Sequence, residues 1–158
     1  MGNLTKSASQ HLSAKRVQIV QVKLVREKSL LYKERKIRSP HDAYLLMQQY
    51  IGDTDREHFI VLCLDTKNQP TCLQTVHIGS LNSSIVHPRE VLKSAILSNA
   101  ASILVGHNHP SDICDPSPED ISVTERLKEA CEIIGVDLLD HLIICSDSFK
   151  SLKEAGYI

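Results

Sequence analysis

The order of helix and strand patterns after residue 38 most constrains the fold of this chain. Two segments, at 39–52 and 117–135, begin with Ser-Pro and end in Gly, which is typical of capped helices. A third helix is predicted from about Pro88. Apolar runs between these helices predict a hairpin and two later strands, at 59–64, 71–78, 102–106 and 136–145. Because this order contains both a hairpin and crossovers, we expect one layered α/β domain with a mixed sheet flanked by helices.

Residues 1–38 differ in charge from the rest of the chain. This segment carries ten Lys and Arg against two Glu, a net charge of +8, whereas the remaining residues carry −9. Its β-branched stretch at 17–37 predicts two strands with a turn near residues 27–29, and its first part is expected to be flexible. We therefore treat 1–38 as a basic, β-rich N-terminal arm and 39–158 as the domain. Such an arm favours nucleic acid or an acidic partner, but docking on its own acidic domain or simple solvation remains an alternative.

The five cysteines indicate a reducing compartment. They are scattered, contain no C-x-x-C pair, and three of them lie inside apolar runs as small buried side chains (Cys63, Cys131 and Cys145). No apolar run approaches the ~20 residues of a membrane-spanning helix, and the N-terminus lacks the apolar stretch of a secretory signal. We expect a cytoplasmic protein without a membrane partner, whose oligomeric state the sequence leaves open.

The segment "GHNHPSDICDPSPED" (106–120) is the strongest candidate for a metal site. A buried strand that ends in His-x-His directs His107 and His109 to the same side, and turns Asn108 to the other. Imidazole suits zinc, and Asp120, in the first turn of the next helix, is the candidate third ligand. The alternative is purely structural, because Ser117 and Asp120 also fit a capping box. The segment 39–42 has the same Ser-Pro-x-Asp pattern where no metal is suspected.

The spacing H-x-H-P-x6-S-x2-D from His107 to Asp120 resembles the signature of JAMM (MPN-plus) metalloproteases. The segments "HPREVLKSAILSNAASILVGHNHPS", "PSPEDI" and "LLDHLII" resemble the RadC family more narrowly, from about Ser39 to the C-terminus. The resemblance implies a JAMM/cytidine-deaminase-like fold, with Zn²⁺ held by His107, His109 and Asp120. It also implies a zinc-dependent hydrolase that cleaves an amide or isopeptide bond in a protein or peptide by metal-activated water.

The same resemblance assigns two catalytic residues. JAMM sites use an upstream glutamate as the proton acceptor, and Glu57, directly before the first predicted strand, stands in that place. Glu90 is the competing carboxylate, which we interpret instead as a first-turn helix residue. Ser117 is the predicted hydroxyl donor to the tetrahedral oxyanion, a role that competes with helix capping.

Several features leave alternatives open. RadC-like proteins usually have Gly where this chain has Asp112, so the loop is expected to adopt unusual backbone angles less readily. Cys114 in the same loop is a candidate extra ligand. Asp140 and His141 are either a satisfied core pair or a support for the metal site. The family's association with DNA repair favours an alternative function, a nucleic-acid-binding protein acting through the arm, and an inert MPN-type scaffold is a third.

Overall fold

The computed structural model describes residues 14–79 and 86–158. These residues form three helices and five strands, and the predicted α/β domain with a mixed sheet is confirmed. In chain order the elements are α1 (Pro40–Ile51), β1 (His58–Leu64), β2 (Pro70–Ile78), α2 (Pro88–Leu97), β3 (Ser102–Asn108), α3 (Pro118–Ile134), β4 (Asp137–Ile144) and β5 (Phe149–Ser151).

The sheet is mixed because one pair of neighbouring strands is parallel and the other three pairs are antiparallel. The strand order is β2-β1-β3-β4-β5. Strand β3 runs antiparallel to β1 and parallel to β4, and the outer strands β2 and β5 are both antiparallel to their neighbours. A parallel pair needs a crossover, and α3 provides it between β3 and β4.

Each face of the sheet packs against helices, so the central strands are buried on both sides. Alternate side chains of β1, beginning with Phe59 and Val61, join α2 and α3 in one core. The intervening side chains, beginning with Ile60 and Leu62, join α1 in the other. His107 follows Val105 on the α3 face, because residues two apart in a strand share a face.

Gly106 allows α1 to pack closely against β3 just before the candidate site. A Cβ atom built on Gly106 would lie 2.7 Å from the Met47 sulfur and 3.4 Å from the Leu142 carbonyl oxygen. A side chain at this position would force the Met47 side chain to shift, so packing favours glycine directly before His107.

The strands predicted in the arm do not form. Residues 14–39 contain no helix or strand, and residues 14–36 are exposed. A two-stranded hairpin needs an apolar surface to pack against, and the arm's β-branched side chains, such as Ile19 at 98% exposure, are exposed to solvent. The arm joins the domain at Ile37, which is buried and donates its backbone N–H to the Asn68 carbonyl at 2.9 Å.

The predicted flexible start of the arm lies outside the described residues. Within the described ranges, none of the three helices combines the length and apolarity needed to cross a bilayer.

Candidate metal centre

Strand β3 and helix α3 bring the three predicted ligands together. The His107 Nε2 atom lies 3.1 Å from Asp120 Oδ1, and His109 Nε2 lies 3.6 Å from Asp120 Oδ2. The two Nε2 atoms are 2.9 Å apart, and one donor atom from each residue lies within 4.8 Å of the others. Two imidazoles and one carboxylate form a donor set that suits zinc and leaves a coordination position open. The group could therefore hold a metal ion.

The three ligands differ in depth. The side chains of His107 and Asp120 are 0% and 3% exposed, whereas that of His109 is 13% exposed. The site is consequently closed on the side of the core and accessible beside His109. A groove lined by the end of α1, the end of β3 and the residues after β4, among them Gln48, Asp53, Pro110 and Ser146, borders His109 from the α1 face of the sheet, and neither His107 nor Asp120 lines it.

Asp120 is held by the capping box of α3. Its Oδ2 atom accepts from the Ser117 backbone N–H and from the Ser117 hydroxyl, both at 2.7 Å. Ser117 Oγ in turn accepts from the Asp120 N–H at 3.2 Å. Burial alone raises the pKa of Asp120, but hydrogen bonds with His107 and His109 outweigh it and hold that pKa well below its ordinary value.

His109 is oriented by the backbone. Its Nδ1 atom lies 2.5 Å from the Ile113 carbonyl oxygen, which can only accept, so Nδ1 carries the proton and Nε2 is free to bind a metal. The His109 N–H donates to the Ile144 carbonyl at 3.0 Å. The hydrogen bond with Asp120 raises the pKa of His109 despite partial burial, and the charge of Glu57 contributes in the same direction.

His107 is contacted from behind by a buried polar chain. Its Nδ1 atom lies 2.8 Å from His141 Nε2, and His141 Nδ1 lies 2.6 Å from the Thr124 hydroxyl. Complete burial lowers the pKa of His141 well below its ordinary value, and the neighbouring His107 lowers it further, so His141 is neutral.

Glu57 lies beside the site at the start of β1. Phe59 pairs with His107 in the β1–β3 ladder, and continuing this antiparallel register by two residues brings Glu57 level with His109. The Asn108 side chain holds the segment that carries Glu57: its Oδ1 accepts from the His58 N–H at 2.7 Å, and its Nδ2 donates to the Arg56 carbonyl at 2.9 Å. Glu90, the competing carboxylate, instead pairs with Lys93 at 2.8 Å on the first turn of α2.

Comparison with known proteins shows the family of the chain. The model of the RadC-like JAB domain family matches residues 37–157. The chain belongs to the RadC-like JAB domain family. It is 50% identical over 125 residues to a UPF0758 protein of Methanosarcina barkeri, covering 79% of this chain and 55% of the relative. It is 54% identical over 122 residues to UPF0758 proteins of Desulforamulus reducens and Bacillus cereus, covering 77% of this chain and 54% of each relative. The chain thus spans about half the length of these relatives.

The structure of the loop between His109 and Ser117 differs from two expectations drawn from the sequence. Asp112, where RadC-like proteins usually have Gly, does adopt a left-handed backbone with φ 60°, and its Oδ1 accepts from the Ser146 N–H at 2.7 Å. Asp adopts a left-handed backbone more readily than most residues, and this bond ties the loop to the segment after β4. Cys114 is disulfide-bonded to Cys145, 31 residues along the chain, so neither is the free thiol that the sequence predicted. Cys114 is also absent from the cluster of potential ligands among the described residues.

Sequence reasoning about this RadC-like site missed Thr124 and did not separate Asp140 from His141. Asp140 turns away from the ligands: it accepts from the Ser151 hydroxyl at 2.5 Å and from the Lys153 N–H at 3.1 Å, which fixes the C-terminal turn. Only His141 contacts a ligand. A signal for Thr124 was present, because it lies four residues after Asp120 and therefore on the same face of α3.

Proposed function

We propose that this RadC-like domain is a zinc-dependent hydrolase that cleaves an amide or isopeptide bond in a protein or peptide. The observation that carries the proposal is the group His107, His109 and Asp120, with both imidazole Nε2 atoms turned toward the carboxylate. Nitrogen and carboxylate donors with no thiolate suit zinc. The partly exposed edge beside His109 gives a substrate access to the ligands.

The chain's own residues supply acid–base catalysis and positioning. When bound, zinc would lower the pKa of a water to about 7 and polarise the scissile carbonyl. Glu57 is the proton acceptor and later returns a proton to the leaving amine, which its place beside His109 favours. Ser117 turns its hydroxyl from Asp120 Oδ2, now 2.7 Å away, to the negative charge that develops on the substrate carbonyl oxygen.

The proposal is tested first by metal content and then by activity. Protein purified without added metal should contain about one zinc per chain by elemental mass spectrometry, and His107→Ala/His109→Ala should contain almost none. Activity should then be sought in a panel of fluorogenic peptides and peptides branched through a lysine side-chain amide.

Glu57→Gln separates catalysis from metal binding. It should keep its zinc and lose turnover by about 10²–10⁴-fold, because only the proton acceptor is removed. Glu90→Gln, which removes an exposed carboxylate on α2, is the matched control and should remain active. Normal turnover by Glu57→Gln on a genuine substrate would refute the mechanism, and a zinc-free wild-type protein would refute the site.

A second function is favoured by the arm. Residues 14–36 are exposed, so the Lys and Arg side chains of this stretch are accessible to phosphates, with Lys28 Nζ lying over the Tyr50 ring at 5.6 Å from its centroid. In this function the protein is DNA-associated, linked to repair, and binds without sequence preference. Removing residues 1–38 should weaken binding to a DNA duplex and reduce its salt dependence. Unchanged affinity in that variant would exclude the arm as the binding element.

We place the protein in the cytoplasm. Cys63, Cys72 and Cys131 are free thiols, as expected in a reducing compartment. The Cys114–Cys145 disulfide differs from this pattern. Localisation of a fluorescent fusion in growing cells tests the assignment.

A further inference from the structure

The series of buried hydrogen bonds behind His107 ends at a carbonyl oxygen. Because this oxygen can only accept, it fixes the donor and the acceptor of every bond in the series. The Thr124 hydroxyl donates to the Asp120 backbone carbonyl at 2.6 Å. A carbonyl oxygen carries no proton, and a hydroxyl has one hydrogen, so that hydrogen is committed to Asp120. The Thr124 oxygen can then only accept from its other neighbour, His141.

The remaining protons follow from this anchor. His141 Nδ1, 2.6 Å from Thr124 Oγ1, must carry a hydrogen, and in the neutral ring Nε2 then has a lone pair. His107 Nδ1, 2.8 Å from that Nε2 atom, must therefore donate to it. A proton of His107 thus lies on Nδ1, which leaves its Nε2 atom, facing Asp120 and His109, as the atom that would bind a metal.

Burial protects these hydrogen bonds from water. Thr124 is 1% exposed and the rings of His107 and His141 are fully buried, so no solvent competes for these bonds. The rings of Phe59 and His141 pack edge to face, with their centroids 5.5 Å apart, and this contact restricts rotation of the His141 ring. Helix α3 contributes two residues to the site: Asp120, as a ligand, and, one turn later, Thr124, where the series of hydrogen bonds begins.

We infer that Thr124 and His141 are positioning residues that hold His107 in the tautomer able to bind a metal, and so set the metal affinity of the site. The inference rests on the proposed function only in taking His107 as a ligand. It predicts that the hydroxyl of Thr124, which contacts no ligand side chain, governs how tightly Zn²⁺ is held. Partners that orient a ligating histidine typically change metal affinity by about 10–100-fold.

The first experiment reads the tautomers directly in wild-type, zinc-free protein. The ¹⁵N shifts of the histidine rings, assigned with the help of a His141→Gln variant, should show both His107 and His141 protonated at Nδ1. A ring whose Nδ1 carries no proton, in either residue, would overturn the inference. Because no altered protein has to fold for the wild-type reading, this test decides the matter even if a substitution at Thr124 is not tolerated.

The second experiment measures Zn²⁺ affinity by competition with a chromophoric chelator. Thr124→Val is nearly isosteric but frees His141 to reverse its tautomer, which would place a proton on His107 Nε2, and affinity should fall by about 10–100-fold. Thr124→Ser keeps the hydroxyl and should restore most of the loss. Thr71→Val is the matched control: it removes a hydroxyl that donates to the Cys63 carbonyl at 3.2 Å, away from the ligands, and should leave affinity unchanged.

The outcomes separate this inference from the proposed function. Equal affinity in wild type and Thr124→Val, or a Ser variant as weak as the Val variant, would overturn the positioning role while the metal site stands. A wild-type protein that binds no Zn²⁺ would overturn the proposed function, and the ring-nitrogen shifts would still test the proton arrangement.

Discussion

The same four-residue device begins α1 and α3, and only one of the two lies at a candidate functional site. Ser39 and Asp42 form a capping box at α1, as Ser117 and Asp120 do at α3. In both boxes the Asp N–H donates to the Ser hydroxyl at 3.2 Å. Asp42 Oδ2 accepts two backbone N–H groups, from Arg38 and Ser39, and the carboxylate is only half-buried.

Asp120 differs from Asp42 in what faces its second oxygen. Its Oδ1 atom lies 3.1 Å from His107, in a site where the carboxylate is almost fully buried. The capping box thus supplies an oriented carboxylate, and the strand end opposite it determines whether that carboxylate becomes a ligand. A Ser-Pro-x-Asp pattern predicts a helix start in both places and a metal site in neither.

The largest expected difference between the two boxes is in metal content. Asp120→Ala removes one of three ligands and should reduce bound zinc from about one per chain to nearly none. Asp42→Ala removes the equivalent carboxylate from α1 and should bind zinc as wild type does. Elemental mass spectrometry of both proteins makes the measurement, and zinc loss from Asp42→Ala would mean that the two boxes are not independent.

The serines of the two boxes should separate capping from catalysis. Ser39→Ala and Ser117→Ala should each lower the free energy of unfolding by about 1 kcal/mol, since each removes an N-cap acceptor. Ser117→Ala should also lower kcat by about 10²–10³-fold, the usual effect of losing one donor to an oxyanion. Equal activity in the two variants would leave Ser117 as a cap alone.

The loop before α3 has a covalent restraint that the segment before α1 lacks. The Cys114–Cys145 bond closes a sequence separation of 31 residues, which corresponds to about 3–4 kcal/mol in the chain-entropy description. Reduction should lower the free energy of unfolding by up to that amount, measured by urea denaturation. A Cys114→Ser/Cys145→Ser variant should be insensitive to the reductant, and equal sensitivity would show that the effect arises elsewhere.

The smallest expected difference is in the pH dependence of metal-free protein. The pKa of His109 is raised by its hydrogen bond with Asp120. This pair therefore contributes fully to the free energy of unfolding below the unfolded pKa of about 6.5, and contributes less as pH rises through the folded pKa. The pKa of Asp120 is lowered, so its contribution is lost only in acid, as pH falls from about 3.9.

The lowered pKa of His141 makes stability rise with pH, in the opposite direction, so the His109 contribution is measured as a difference between variants. The loss of stability in Asp120→Ala relative to Asp42→Ala should be larger at pH 6 than at pH 8.5. Urea denaturation with a chelator present makes the comparison, and an equal difference at the two pH values would contradict the assignment to the His109–Asp120 pair.

Local patterns in the sequence determined the elements of this protein and the candidate ligands. Caps and Gly residues marked α1 and α3, apolar runs marked the central strands, and the spacing of His107 and His109 on a strand placed them on one side. These features depend on residues a few positions apart, whose geometry the backbone fixes. The family resemblance added Glu57 and Ser117, whose catalytic roles remain predictions.

Tertiary structure alone decided the rest, because it depends on contacts between distant segments. The arm's β-branched residues favoured strands, but with no apolar surface against them they stay exposed and unpaired. Cys114 and Cys145 meet only because the loop after β3 lies beside the end of β4. Likewise, Asp120 faces His107 and Asp42 does not, since α3 begins opposite the end of β3, and it is this packing that turns a helix cap into a candidate metal ligand.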